Sequence, residues 1–161
     1  MKYLKSTVLL LAALLVFSCK EEPKKVIRTE PISFKKEGEL TVYRAETDSI
    51  IASFDIEIAE SDYEIQTGLM YRSSMGEKEA MLFIFPDVAM HSFYMKNTEI
   101  ALDLVFIDEQ LRIASFQENA LPLDETGLSS KVPVQYVLEI NAGLVEKWQM
   151  EIGDRLEFVR Q

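Results

Sequence analysis

From Ile32 onward, apolar and polar positions alternate with a period of two along much of the chain, the spacing of strands with one wet face. The clearest run covers 49–59, where Ala52, Phe54, Ile56 and Ile58 alternate with Ser53, Asp55 and Glu57. A shorter apolar run at 40–43 precedes it across turn-type residues, so the two predict a β-hairpin. Ser61 and Glu64 then stand at capping-box spacing. They predict a short helix from Asp62 to about Thr67, closed by Gly68 at a left-handed position. Residues 80–85 are apolar on both faces and predict a central strand stopped by Pro86.

The stretch 90–108, MHSFYMKNTEIALDLVFID, holds two apolar runs separated by Lys96-Asn97-Thr98. It predicts strands at 93–95 and 100–107 joined as a central hairpin. Counting by two, Leu102, Leu104 and Phe106 share one face, and Asp103 shares the other with Val105 and Ile107. A strand at 111–116 follows, and then an irregular stretch over 118–133 of a length usually reserved for functional or mobile loops. Residues 134–140 alternate again, with Gln135, Val137 and Glu139 opposite Val134, Tyr136, Leu138 and Ile140. A short helix over 144–150, carrying Trp148, and a last strand at 156–159 complete the pattern. The expected fold class is mainly β, a β-rich α+β chain. Its expected architecture is a small antiparallel β-barrel-like domain with one or two short helices, because closure removes exposed sheet edges.

The N-terminus follows different rules. Lys2 and Lys5 precede an apolar run from Val8 to Phe17 that is too short to span a bilayer, which needs roughly 20 residues. Residues 1–18 therefore read as a signal peptide. Val16-Phe17-Ser18-Cys19 resembles the lipobox of bacterial lipoproteins, although Phe17 is bulkier than the residue usual at its place. The resemblance implies cleavage before Cys19 and lipid on its sulfur, with the membrane as partner and the cell envelope, at the outer membrane, as location. Residues 19–31 are charged, hold Pro23 and lack any apolar period, so they read as a flexible tether to one domain at 32–161. Lys20-Glu21-Glu22 resembles the surface-export signal of lipoproteins in some Bacteroidetes-type bacteria; a generic charged tether fits it equally well, so periplasmic and surface faces both stay open.

Composition narrows the function. Apolar residues make up 48% and charged residues 27%, an ordinary globular balance. The net charge is −10, which opposes binding to a phosphate backbone, so no nucleic-acid partner is expected. Without residues 1–18 the chain carries 15 basic and 27 acidic groups, net −12, and its surface would be repelled by anionic lipid. One cysteine excludes an intrachain disulfide, and with one histidine no zinc-type Cys/His set exists. There is no Gly-rich phosphate loop or G-x-S-x-G elbow. No metal or other cofactor is expected.

Seven phrases then stand in order. They are Phe54–Ala59, Gly68-Leu69-Met70-Tyr71-Arg72, Met81–Phe85, Phe93–Thr98, Leu102–Asp108, Val137–Ile140 and Ile152-Gly153-Asp154. Together they resemble the bacterial and archaeal family called domain of unknown function 192, over about residues 32–161. Ala80 and Tyr94 depart from the family's usual Gly and Trp. The resemblance implies a compact, often exported β-rich domain, and it implies no activity and no catalytic residues.

The candidate ligand-binding residues are Lys96, Asn97, Asp103, Arg72 and Glu139. An ion pair of Lys96 with Asp103 across the expected hairpin would form a polar pocket for an anionic or hydroxylated ligand. The structural alternative, which we favour, has Asp103 accepting backbone N–H groups and Asn97 in a left-handed turn. Arg72 and Glu139 are either a pocket-forming pair or, as favoured, solvent-facing charges. His91 reads as a loop histidine, and the methionines as core gap-filling rather than a thioether copper site. The favoured function is a non-enzymatic, lipid-anchored β-barrel module binding a small ligand or an envelope protein. The alternative is a small hydrolase with Asp103 or Glu139 as general base and Lys96 polarising the substrate, for which Asp103, Glu139 and Asp154 would have to converge.

Overall fold

The computed structural model describes residues 32–161. The signal peptide, Cys19 and the tether lie outside the described residues. Among the described residues the fold is mostly β, with two short helices. The strands are β1 (Gly38–Tyr43), β2 (Ile50–Ala59), β3 (Glu79–Ala89), β4 (Ser92–Phe93), β5 (Leu102–Ile107), β6 (Ile113–Ala120), β7 (Leu128–Ser129), β8 (Val134–Asn141) and β9 (Arg155–Arg160). The helices are α1 (Asp62–Thr67) and α2 (Leu144–Lys147).

Seven strands form one sheet in the order β6-β5-β8-β3-β2-β1-β9, while β4 and β7 pair separately. All neighbours are antiparallel except β2 and β3, which run parallel and are joined through α1. The expectation of a purely antiparallel arrangement is corrected at this one crossover, because the helix returns the chain to the end of the sheet where β2 began. The sheet does not close into a barrel. Its two edge strands meet near one end only, through an isolated bridge between Arg112 and Arg155 and the Leu156 N–H to Leu111 carbonyl bond of 2.8 Å.

Because successive side chains alternate, the sheet carries a core on each face. One core takes Leu40, Phe54, Ile56, Leu82, Val105, Leu138 and Leu156 and is closed by Leu144, Val145 and Met150 of the α2 region. The other takes Met81, Phe83, Phe85, Leu104, Phe106 and Val137. Leu69, Met95 and Ile100 cover it, from the segments that follow α1 and β4. Buried Met81 and Met95 fill this second layer as expected of core methionines.

Several boundaries differ from expectation. The strand at 80–85 does not stop at Pro86 but runs to Ala89, and its pairing with β8 shifts register between Ile84 and Ala89, where proline has no N–H to give. The hairpin expected to join 93–95 to 100–107 does not form. β5 pairs with β6 and β8, whereas β4 pairs with β7 inside the stretch expected to be irregular. The Met95 N–H goes to the Asp124 carbonyl at 2.8 Å and the Thr98 N–H turns back to the Met95 carbonyl at 3.1 Å, so 95–98 is a tight turn. The hairpin of β1 and β2, helix α1 and the central place of β3 follow the sequence pattern.

Candidate functional site

α1 begins with the full capping box: Ser61 Oγ accepts the Glu64 N–H, and the Glu64 carboxylate accepts the Ser61 N–H at 2.9 Å. These bonds hold the Glu64 carboxyl below its ordinary range, the backbone bond from Ser61 first. The helix ends at Gly68 with φ of 47° and ψ of −130°, a glycine conformation other than the left-handed one expected, and a Cβ there would meet Phe83 Cζ at 3.0 Å. Glycine lets the chain cross directly over an aromatic ring of β3.

That crossing roofs a cavity of about 230 Å³ on the second-core face. Its walls include Leu69 and Met70 after α1, Phe83 and Phe85 of β3, His91 to Tyr94, Thr98 and Glu139 of β8. Phe93 meets Phe83 edge-on at 5.1 Å, and the His91 ring stacks on Phe85 at 3.6 Å. The register pairs Glu139 with Met81 on one side and Leu104 on the other, which aims its carboxyl at this face among apolar neighbours. Glu139 is 6% exposed. Burial, with no hydrogen bond or opposing charge to offset it, pushes its carboxyl up to about 8. His91 Nε2 is also buried without a partner, while its backbone N–H reaches Ser130 Oγ at 3.2 Å.

The other predicted residues lie elsewhere. Asp103 is fully buried on the opposite face, its two oxygens taken by the N–H groups of Asn119 at 2.8 Å and Val145 at 3.0 Å. The first amide sits where β6 loses register against β5, and the second belongs to the first turn of α2, which has no side-chain cap of its own. Asp103 thus serves the backbone, as favoured from sequence, and the Lys96–Asp103 ion pair is corrected: its hairpin is absent and Lys96 is exposed. Asn97 takes φ of 56° and its Nδ2 donates to the Tyr71 hydroxyl at 2.9 Å, locking two loops together.

Arg72 and Glu139 are not solvent-facing, because a second layer covers the face that alternation marks as wet. Neither do they pair with each other. Arg72 Nη2 meets Glu57 Oε2 at 2.6 Å, both residues nearly buried, yet Glu57 Oε2 and Arg72 Nε each lack a hydrogen bond among the described residues. This pair borders a second cavity of about 340 Å³, and Thr67, Gly68 and Met70 form a partition that faces both cavities. Asp154, 1% exposed, accepts from the N–H groups of Ala45 and Glu151 and from Arg44. The three carboxylates Asp103, Glu139 and Asp154 therefore do not converge.

Sequence reasoning named Glu139 but missed its aromatic surroundings, and it weighed His91 as a metal ligand or general base only to favour a loop histidine. The available signal was a glutamate set between Leu138 and Ile140, in a strand whose neighbours are apolar on both faces. Four of the seven family-like phrases contribute walls to this cavity.

Fold and site together define a β-rich domain with a glutamate-bearing cavity under a helix-to-strand crossover. The chain belongs to the DUF192 family, described as "Uncharacterized ACR", whose model matches residues 43–158. It is similar to the crystal structure of a candidate transcription regulator from Sinorhizobium meliloti 1021, at 33% identity and a TM-score of 0.73 over 80% of this chain and 98% of that one. It is likewise similar to a protein of unknown function from Novosphingobium aromaticivorans DSM 12444, at 36% identity and a TM-score of 0.70 over 74% of this chain and 83% of that one. No curated protein matches the chain.

Proposed function

We propose that this protein is a lipid-anchored envelope module that binds a small ligand in the cavity beside Glu139. The observation that carries the reading is the carboxyl itself, nine-tenths buried, without a partner and facing open space. Burying an unsatisfied polar group costs free energy, and such groups cluster where a ligand completes them. The volume of about 230 Å³ lies just below the roughly 300–1,000 Å³ of drug-sized sites, so the ligand is small. The lipobox-like segment ending at Cys19 supports anchoring. The regulator description of the Sinorhizobium protein does not transfer, since a net charge of −10 opposes DNA.

A fragment screen by NMR on the full chain tests the binding reading. Hits should shift resonances of Met70, Phe93 and Thr98. A screen at millimolar concentration in which no fragment reaches these residues would defeat it. A catalytic reading survives only through Glu139 and His91, the carboxyl and imidazole that share one cavity. Turnover of a bound fragment that stops in Glu139→Gln would favour it.

A further inference from the structure

We infer that the cavity beside Glu139 selects a small organic cation, an ammonium or quaternary ammonium group, over neutral and anionic molecules of the same shape. The inference rests on the binding reading above and adds the charge of the ligand. Among the described residues no Lys or Arg lines the cavity, so its wall holds no permanent positive charge, and His91 is its one basic group. Its single acid stands among aromatic rings: Phe83, Phe85, Phe93 and Tyr94. Aromatic faces attract a cation within about 6 Å of the ring centre, and do so more strongly where water is excluded. A carboxylate and aromatic faces in one small cavity act on the same charge from several sides.

The protonation of Glu139 sharpens the expectation. The titratable groups that face it across the cavity are His91 and Tyr94, while β3, β5 and the α1 segment contribute none to the wall. With its carboxyl raised to about 8 by burial, Glu139 holds a proton at pH 7 and must release it when a cation binds. Cation binding therefore strengthens by about tenfold between pH 7 and pH 9 and levels off above, since the ionised fraction rises that much across a group titrating near 8.

Three probes of one shape and three charges decide the matter: tetramethylammonium, tert-butanol and pivalate, titrated into the full chain and followed by NMR at the cavity residues. Tetramethylammonium should bind at least tenfold more tightly than tert-butanol at pH 9, and pivalate more weakly than either. Glu139→Gln should cut the preference several-fold, to what the aromatic faces alone supply, while tert-butanol still binds. Equal binding of tetramethylammonium and tert-butanol, or a preference for pivalate, overturns the cation inference and leaves the binding reading standing. Cavity resonances that ignore all three probes, and every fragment as well, overturn both. A preference kept in full in Glu139→Gln, or unchanged between pH 7 and pH 9, removes Glu139 from the argument and overturns the inference.

Discussion

Asp103 and Glu139 stand on adjacent strands, one residue apart in register, yet project from opposite faces of the sheet. Asp103 is satisfied by two backbone amides, and Glu139 is satisfied by none. Two buried carboxyls in neighbouring positions thus have opposite tasks: one holds the fold and the other is held by it.

The pH dependence of stability separates them. Glu139 has its folded pKa raised from 4.5 to about 8, so the native state retains a proton that the unfolded chain releases. Its contribution is fully present below pH 4.5 and is lost as pH rises to about 8. Over that window the protein should lose on the order of a few kcal/mol relative to Glu139→Gln, which lacks the titration. Chemical denaturation of both proteins at pH 5 and pH 9 measures the difference, and parallel curves would contradict it.

Asp103→Ala leaves the buried amide of Val145 and the part-buried amide of Asn119 without acceptors. The expected cost is about 2–4 kcal/mol, with a smaller loss for Asp103→Asn, which keeps one acceptor oxygen. Replacement of exposed Lys96 by Ala should fall within about 0.5 kcal/mol of wild type. Urea midpoints rank the three, and an unshifted Asp103→Ala midpoint would rule out the anchoring role.

Arg72→Met strands the Glu57 carboxylate, whose remaining bond is the Lys35 N–H at 2.8 Å. Removing one partner of a buried pair costs about 3–5 kcal/mol, whereas replacing both by apolar residues often restores stability. The double variant Arg72→Met/Glu57→Leu should therefore be more stable than Arg72→Met alone. Thermal melts of the two variants give the sign, and the reverse order would show that the pair itself stabilises the fold.

Gly68→Ala combines a positive φ with a Cβ at 3.0 Å from Phe83 Cζ. We expect about 1–2 kcal/mol of destabilisation and a displaced Phe83 ring, so binding at the cavity should weaken as well. Unchanged Phe83 resonances in this variant would mean that the roof relaxes freely.

Cys19→Ala tests the anchor separately from the cavity. The variant should leave the membrane fraction for the soluble fraction, while fragment binding at Glu139 persists. Retention in membranes would remove lipidation from the proposal.

The alternating strands and the capped helix were legible from local signals alone, since period and cap spacing are properties of a few consecutive residues. The capping box of Ser61 and Glu64 is one case, and the alternation across 52–58 is another. What escaped was the second layer. Alternation assigned Glu139 to the face opposite Leu138, but it does not report whether another segment lies over that face. Here Leu69, Met95 and Ile100 do, brought in by the turn at 95–98 and the two-residue pairing of β4 with β7. Such a short pairing leaves no periodic trace. Arg72 and Glu57 were missed as partners for the same reason, because they meet across a crossover and not along a strand.

The pairing of β1 with β9 has a bearing on how the protein folds. The first strand of the sheet is bonded along its length to the last, from Gly38 opposite Arg160 to Tyr43 opposite Arg155. Contacts of such separation are slow to form, so this pairing is expected late in folding. Until β9 arrives, β1 stands as an exposed sheet edge, open to pairing with another chain.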